Sequence, residues 1–273
     1  MTLKWLTGLT VVSLAVTVVL ALAVAPADAV QGDAYRLMYL HVPTAWLAYL
    51  AFFVTAVASA LWLWPRTRST TWDLLAGASA EVGVIFTGLC LAMGSFWGRP
   101  IWGTWWEWDA RVTTTAVLFF LYLGYLALRR TGVTAAERGK RCAIAALIAF
   151  ADVPVVHFSV TWWETLHQDA TVFNPKLDVQ FEGFWMPFTL VFAVFAFTLL
   201  YATLVTARLQ LAELEEGKEE RELERAIERR VRVPAEHRFE STRVPYPAPR
   251  VLAPGLARAW PGHLLRRPSP LIR

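Results

Sequence analysis

The amino-acid sequence predicts an all-α protein that crosses a membrane six times and ends in a charged tail. Hydrophobic residues make up 56% of the 273 residues and charged residues only 18%, whereas about a quarter of an average soluble domain is charged. Residues 1–206 contain 12 basic and 12 acidic residues, so the net charge of +4 falls in residues 207–273. This distribution excludes an ordinary soluble enzyme, a disordered protein and a nucleic-acid-binding domain.

Six apolar runs account for the predicted spans. A bilayer core is about 30 Å thick, so a spanning helix needs roughly 20 mostly apolar residues. The runs lack the strict alternation of apolar and polar residues that a membrane β-barrel requires. In the fifth run, Pro154 frees a backbone carbonyl and predicts a kink. We therefore predict transmembrane helices over residues 5–25, 41–64, 74–96, 113–129, 141–158 and 184–206.

The first run has a second interpretation. Lys4, the apolar stretch and the small residues within 25–29 also resemble a secretory signal peptide. Because about twenty apolar residues are long for such a peptide, we expect a retained first helix. Cleavage would leave five helices and the same outward loops.

Basic residues divide the connecting segments into two classes. The N-terminus, the second and fourth connections and the tail contain most of them, and basic segments stay cytoplasmic. Both termini are therefore predicted inside the cell. Loops 26–40, 97–112 and 159–183 are predicted outside.

Tryptophan is concentrated in two of the predicted outward loops. An interfacial aromatic belt would place tryptophan at both membrane surfaces, but those on the inner side are few and scattered. A dense one-sided cluster favours a platform for a flat apolar ligand, because indole offers a large rigid face. Half of the 14 tryptophans belong to it: Trp97, Trp102, Trp105, Trp106, Trp108, Trp162 and Trp163.

Charged residues accompany the tryptophans. Arg99 and Arg111 are suited to bind an anionic group of the ligand, bidentate to a carboxylate, while Asp109 orients the loop. The alternative interpretation is a solvated ion pair of little energetic value. Glu81 and Asp152 lie at membrane depth, so we expect each to face the bundle interior, protonated or paired.

Two histidines are predicted at the same depth beside the tryptophan loop. His41 opens the second span, and His157 lies near the outer end of the fifth. Zinc requires three or four ligands, and neither cysteine is expected near these histidines. Two imidazoles across a flat cavity suit a haem iron with axial histidine ligands, and arginines suit the haem propionates. His167 is predicted as a substitute ligand, a propionate contact or a structural residue.

Three motifs resemble one known family. Residues 102–113, WGTWWEWDARVT, resemble the tryptophan-rich "WWD" signature of haem-handling proteins in cytochrome c maturation. Residues 39–43, YLHVP, and 157–168, HFSVTWWETLHQ, resemble the flanking segments of the haem exporter protein C (CcmC) family. The likeness covers about residues 30–206. It implies a six-helix haem-handling domain over residues 1–206, with the WWD loop at about 97–113.

The resemblance implies a multi-pass protein of the bacterial inner (cytoplasmic) membrane that presents haem b at its outer, periplasmic face. His41 and His157 match the axial-ligand positions of the family, and the loop residues match its haem and chaperone contact surface. The implied partners are a membrane-anchored periplasmic haem chaperone and ATP-binding-cassette transporter subunits of the maturation complex. We expect a scaffold for haem transfer rather than a catalyst with acid–base chemistry.

Other functions are less consistent with the sequence. A b-type haem electron-transfer subunit would usually need a second histidine pair, and only one pair is visible. A cytochrome c synthase-like haem lyase uses more helices and further histidines. A small-molecule transporter would place convergent polar groups near the membrane midplane rather than at one rim.

The tail departs from the family, whose members typically end soon after the sixth helix. Residues 208–232 are rich in Glu and Arg and predict a polar cytoplasmic helix. Eight of the 15 prolines fall from Pro234 onward, which predicts disorder. A solvated extension is the simplest interpretation of residues 207–273, and binding to partners or anionic headgroups is the alternative.

Overall fold

The computed structural model describes residues 2–131, 134–167 and 183–232. Within these ranges the protein is helical, with connecting turns and a single isolated β-bridge between Asp28 and Gly32. The all-α polytopic architecture predicted from the sequence is therefore confirmed. Six helical segments of the described residues are long and apolar enough to cross a bilayer: Leu3–Val24, Asp33–Leu63, Thr70–Trp102, Ala110–Arg129, Ala135–Trp162 and Trp185–Arg229.

Seven α-helices build these segments. A single π-helical turn (Leu20–Val24) extends α1, and a 3₁₀ segment (Asp33–Leu37) leads into α2. The fifth span consists of two helices that meet at Ala151. Pro154 has no N–H to donate to Phe150, which explains the break and agrees with the predicted kink. The helices are α1 (Leu3–Val19), α2 (Met38–Leu63), α3 (Thr70–Trp102), α4 (Ala110–Arg129), α5 (Ala135–Phe150), α6 (Asp152–Trp162) and α7 (Trp185–Arg232).

The chain divides into two compact units, Met1–Arg221 and Glu222–Arg273. The first contains α1 to α6 and most of α7. In the second, the described residues are 222–232, the last turns of α7. The polar helix predicted over 208–232 lies within α7. The Pro-rich segment predicted to be disordered lies outside the described residues.

The first helix buries hydroxyl side chains and exposes valines. Thr10, Ser13 and Thr17 are buried along one face, and the Thr10 and Thr203 hydroxyl oxygens lie 2.8 Å apart between α1 and α7. Lipid tails are as apolar as valine, so membrane helices associate through small residues and interhelical hydrogen bonds. The inward polar face of α1 is therefore typical of a helix packed on a membrane bundle.

Aromatic and polar contacts join the central helices. The Phe52 and Tyr122 rings stack between α2 and α4 with centroids 3.6 Å apart. The Ser79 hydroxyl donates to the Ala51 carbonyl at 2.7 Å and also lies 2.7 Å from the Tyr201 hydroxyl. These contacts connect α2 to α4, and α3 to both α2 and α7.

The two acidic residues at membrane depth differ in their surroundings. Glu81 accepts hydrogen bonds from Arg208 of α7 at 2.5 and 3.1 Å, so the expectation of a paired carboxylate is confirmed for this residue. The Oδ2 atom of Asp152 is buried and has no hydrogen-bond partner among the described residues. The paired alternative is thus not observed for that oxygen.

Candidate functional site

A cavity of about 340 Å³ opens at one end of the bundle, where α2 and α4 begin and α3 and α6 end. Its volume falls in the range of ligand pockets, roughly 300–1,000 Å³. The cavity walls are largely apolar, and they include Ala48 and Leu118, which belong to the buried core of the bundle. Eight of the predicted candidates line it: His41, Trp97, Trp102, Trp105, Trp106, Arg111, His157 and His167.

Helix α3 extends six residues beyond the predicted span and carries the first part of the tryptophan cluster. It ends where Gly103 adopts a left-handed conformation (φ 78°) and donates its N–H to the Arg99 carbonyl at 3.1 Å. The Arg99 guanidinium in turn donates to the Gly103 carbonyl. Arg99 therefore caps the helix end and is exposed, whereas we expected it beside the ligand.

The imidazole of His41 rests against one face of α3. The Sγ atom of Cys90 lies 3.9 Å from His41 Nδ1, and the Trp97 ring packs edge-on with centroids 5.8 Å apart. A Cβ atom at Gly94 would lie only 3.1 Å from His41 Cε1, so the absence of a side chain there admits the ring. The expectation that neither cysteine lies near the histidines was wrong for Cys90.

The second histidine is held by contacts from α2 and α4. The Arg111 guanidinium donates to the His157 carbonyl at 2.9 Å, and the Tyr49 ring faces the His157 ring with centroids 6.4 Å apart. The Nε atom of Arg111 is buried, with no hydrogen-bond partner among the described residues. The structure thus places a cation and an unused donor in the cavity that contains both histidines.

The carboxylate of Asp109 connects two loops. It accepts hydrogen bonds from the Val112 backbone N–H at 2.8 Å, which caps α4, and from the Thr165 hydroxyl at 2.6 Å. It also contacts His167 Nδ1 at 3.0 Å. Asp109 is only 9% exposed, so the solvated Asp109–Arg111 pair considered above is not formed. Its predicted role in orienting the loop is consistent with these contacts.

The electrostatics of Asp109 follow from these partners. Burial alone would raise the pKa of the carboxyl, but hydrogen bonds from His167, Thr165 and Val112 outweigh it. Together they hold the pKa of Asp109 well below its usual value. The group is therefore an ionised acceptor at neutral pH, and His167 Nδ1 must be the donor in their contact.

The remaining predicted tryptophans lie outside the cavity lining and are exposed. Trp108 is 75% exposed and packs edge-on against Trp106, with centroids 5.4 Å apart. Trp162 and Trp163 contact one another similarly, with ring centroids 5.8 Å apart.

Trp106, which lines the cavity, is half-buried, and its buried Nε1 has no hydrogen-bond partner among the described residues. Residues 168–182 of the predicted outward loop lie outside the described residues.

Sequence reasoning missed several residues of the cavity. Helical spacing offers a signal for some of them, because Cys90, Gly94 and Trp97 share one face of α3 at positions i, i+4 and i+7. Tyr49 lies two turns beyond His41 on α2 (i+8) in the same way, whereas Trp46, at i+5, does not follow this spacing. The residues missed are Gln31, Trp46, Tyr49, Cys90, Gly94 and Glu107.

Comparison with known proteins identifies close relatives. A family model described as "Heme exporter protein C" matches residues 1–224. A protein of that name from Bradyrhizobium diazoefficiens is 40% identical over 211 residues, which cover 76% of this chain and 77% of the relative. The Escherichia coli K12 protein of the same name is 39% identical over 209 residues, covering 76% and 82%. The Haemophilus influenzae protein, again so named, is 40% identical over 211 residues, covering 76% and 83%.

Proposed function

The chain belongs to the heme exporter protein C family, and on that premise we propose that it presents haem at the periplasmic face of the inner membrane and passes it to a haem chaperone for cytochrome c maturation. Haem is the cargo in this account. The observation that carries the proposal is that His41 and His157, from separate spans, line one cavity beneath a tryptophan rim.

The donor set suits haem better than a bare metal ion. Among the described residues, no group of three or more His, Cys, Asp or Glu side chains is arranged to hold a metal. Haem brings four nitrogen ligands of its own, so two imidazoles complete the coordination of its iron. Two axial protein ligands would also disfavour oxygen chemistry at the iron, as suits a carrier.

Unused donors in the cavity support a carboxylate-bearing ligand. The buried Nε of Arg111 and Nε1 of Trp106 have no hydrogen-bond partner among the described residues, and a buried unsatisfied donor costs about 1–3 kcal/mol. A haem propionate would supply the missing acceptor, and Arg111 would add a charge-assisted bond. We therefore assign Arg111, rather than Arg99, to the haem carboxylates.

The exposed aromatic rim suits a docking partner. Trp108, Trp162 and Trp163 are each more than half exposed, and clustered exposed aromatic residues are typical of protein or membrane contact sites. In this proposal they receive the membrane-anchored chaperone, while ATP-binding-cassette subunits of the maturation complex contact other surfaces. The basic inner connections support the assignment of the rim to the periplasmic side.

A transfer assay tests this function. The full chain, purified in detergent and loaded with haem, is mixed with the apo form of the chaperone, and the haem content of each protein is followed by absorption. We expect a variant with Trp108, Trp162 and Trp163 all replaced by Ala to retain haem but to transfer it at least about tenfold more slowly, since clustered hot-spot aromatics dominate docking.

The control is Trp64→Ala. Trp64 is 56% exposed and lies at the opposite end of α2, so the variant should transfer haem at the wild-type rate. Failure of the wild-type protein to bind haem would contradict the cavity assignment. Unchanged transfer by the triple variant would contradict the proposed docking surface but would leave the cavity assignment standing.

A further inference from the structure

The side chain of Gln31 is held at the wall of the histidine cavity by the indole of Trp97. The Nε1–H of Trp97 donates to Gln31 Oε1 at 3.0 Å. Gln31 itself is half-buried and lines the cavity. It has no part in the haem contacts proposed above, although its amide is one of the few polar groups on an otherwise largely apolar wall.

The hydrogen bond to Trp97 determines which end of the Gln31 amide is free. An indole N–H can only donate, so the Gln31 atom that it meets must be the carbonyl oxygen. The amide nitrogen then carries two N–H donors, and it has no hydrogen-bond partner among the described residues. It is also not one of the unpartnered atoms that are sealed inside the protein. These two donors are therefore left for a ligand of the cavity.

A tight turn before α2 fixes the backbone of Gln31. The Asp28 carboxylate accepts hydrogen bonds from the N–H groups of Val30 and Gln31 at 2.9 and 2.7 Å, as is typical of turns built on aspartate. Gly32 has a positive φ of 57° and donates its N–H to the Asp28 carbonyl at 2.9 Å. Backbone and side chain of Gln31 are thus both ordered in advance, which lowers the entropic cost of binding a ligand.

The polar donors of the cavity come from two different walls. Arg111, which the proposed function assigns to the haem carboxylates, lies at the start of α4 and donates to the His157 carbonyl at 2.9 Å. Gln31 precedes α2, and its partner Trp97 packs edge-on against His41 with ring centroids 5.8 Å apart. Each histidine is therefore accompanied by a side-chain donor, one cationic and one neutral.

We propose that Gln31 donates a hydrogen bond to one propionate of haem while Arg111 pairs with the other. This contact rests on the proposed function, in which haem is the cargo of the cavity. Haem carries two propionates on one edge, and Arg111 can neutralise only one of them. A neutral amide satisfies the second carboxylate by hydrogen bonding and avoids the cost of desolvating another cation. Gln31 thereby makes the cavity selective for a porphyrin with free carboxylates.

Binding of two porphyrins to the full chain, purified in detergent, tests the contact. Ferric haem and its dimethyl ester, in which both propionates are esterified, are titrated into the apo protein, and dissociation constants are measured by absorption. Gln31→Glu keeps an acceptor for Trp97 but loses the amide donor. It should bind haem at least about tenfold more weakly, as for loss of a hydrogen bond to a charged group, and the ester within about twofold of wild type.

The matched control for added charge is Val30→Glu. Val30 is 93% exposed and does not line the cavity, so a carboxylate there should weaken haem binding less than about twofold, because exposed charges are screened. Equal losses of haem affinity in Val30→Glu and Gln31→Glu would mean general repulsion and would overturn the proposal. Equal losses of haem and ester binding in Gln31→Glu would mean that Gln31 only positions Trp97, and would overturn it as well.

A second variant, Gln31→Met, removes the donor without adding charge. Methionine has a similar length, but its thioether is only a weak acceptor and donates nothing. The ratio of haem affinity to ester affinity should fall about fivefold or more, and an unchanged ratio would contradict the contact. Failure of the wild-type chain to bind haem would overturn the proposed function and this contact with it. Haem binding by the wild type and equally by both Gln31 variants would overturn the contact alone.

Discussion

Asp109 accepts a hydrogen bond from Nδ1 of His167 at 3.0 Å and so joins two loops whose residues are 58 positions apart in sequence. Because an ionised carboxylate can only accept hydrogen bonds, Nδ1 of His167 must carry the proton in this contact. The His167 ring also packs edge-on against Trp102, with centroids 4.8 Å apart. Of the three roles considered for His167, these contacts favour the structural one.

Asp109→Asn should loosen both loops. An amide has one acceptor oxygen, so it cannot accept from Val112, Thr165 and His167 together, and a lost bond to a charged group costs about 1.5–3 kcal/mol. Hydrogen–deuterium exchange should become faster in residues 103–109 and 163–167. Glu107→Gln, an exposed change in the same loop, is the control. Equal exchange in the two variants would contradict the role of Asp109.

The depressed pKa of Asp109 also predicts a pH dependence. A carboxyl whose pKa is lower in the folded state contributes stability that is present above its unfolded value, about 4, and is lost as the pH falls through the folded value. The difference in loop protection between wild type and Asp109→Asn should therefore be constant from pH 6 to pH 5. It should shrink as the pH falls below about 4. A difference that grows on acidification would contradict the assignment.

Gly94→Ala should displace the His41 ring. The new methyl carbon would lie 3.1 Å from Cε1, and overpacking of this kind typically costs about 1–3 kcal/mol. We expect weaker haem binding and an altered absorption spectrum, measured on the detergent-purified protein. Gly124→Ala is the matched control, because a Cβ atom at that position of α4 meets no atom within 4 Å. Wild-type haem affinity in Gly94→Ala would show that α3 does not fix the imidazole.

The first helix should remain in the mature protein. Arg36 donates to the carbonyls of Ala21 and Ala25, and Thr10 contacts Thr203, so α1 is bonded to α7 and to the segment before α2. Intact-mass measurement on protein extracted from membranes should retain residues 3–29. A mature N-terminus at Val30 would instead support the signal-peptide interpretation.

The sequence predicted the six spans and the histidine cavity because both depend on hydropathy and chain order. Helices that alternate in direction bring the N-terminal ends of α2 and α4 to the C-terminal ends of α3 and α6. His41 and His157 lie at those ends, so their common location follows from topology. The bounds of the spans were predicted less well: the third span was expected over 74–96, yet α3 extends from Thr70 to Trp102.

Rotation of each helix about its axis was not predictable in the same way. Lipid-facing and bundle-facing residues are both apolar in a membrane helix, so hydropathy does not indicate which face of α3 meets His41. For this reason no cysteine was expected near the histidines, whereas the Sγ atom of Cys90 lies 3.9 Å from His41 Nδ1. Asp109 shows a missed local signal: an Asp directly before an apolar helical run is a typical N-cap, and residues two apart, such as Asp109 and Arg111, do not face each other on a helix.

The absorption spectrum of the haem-loaded protein tests the central assignment most directly. The wild-type chain and the His41→Ala, His157→Ala and His167→Ala variants are purified in detergent, and haem content and iron coordination are compared. We predict six-coordinate haem with two histidine ligands in the wild type, and lost haem or altered ligation in the first two variants alone. Wild-type spectra and haem content in both His41→Ala and His157→Ala would contradict axial ligation by this pair.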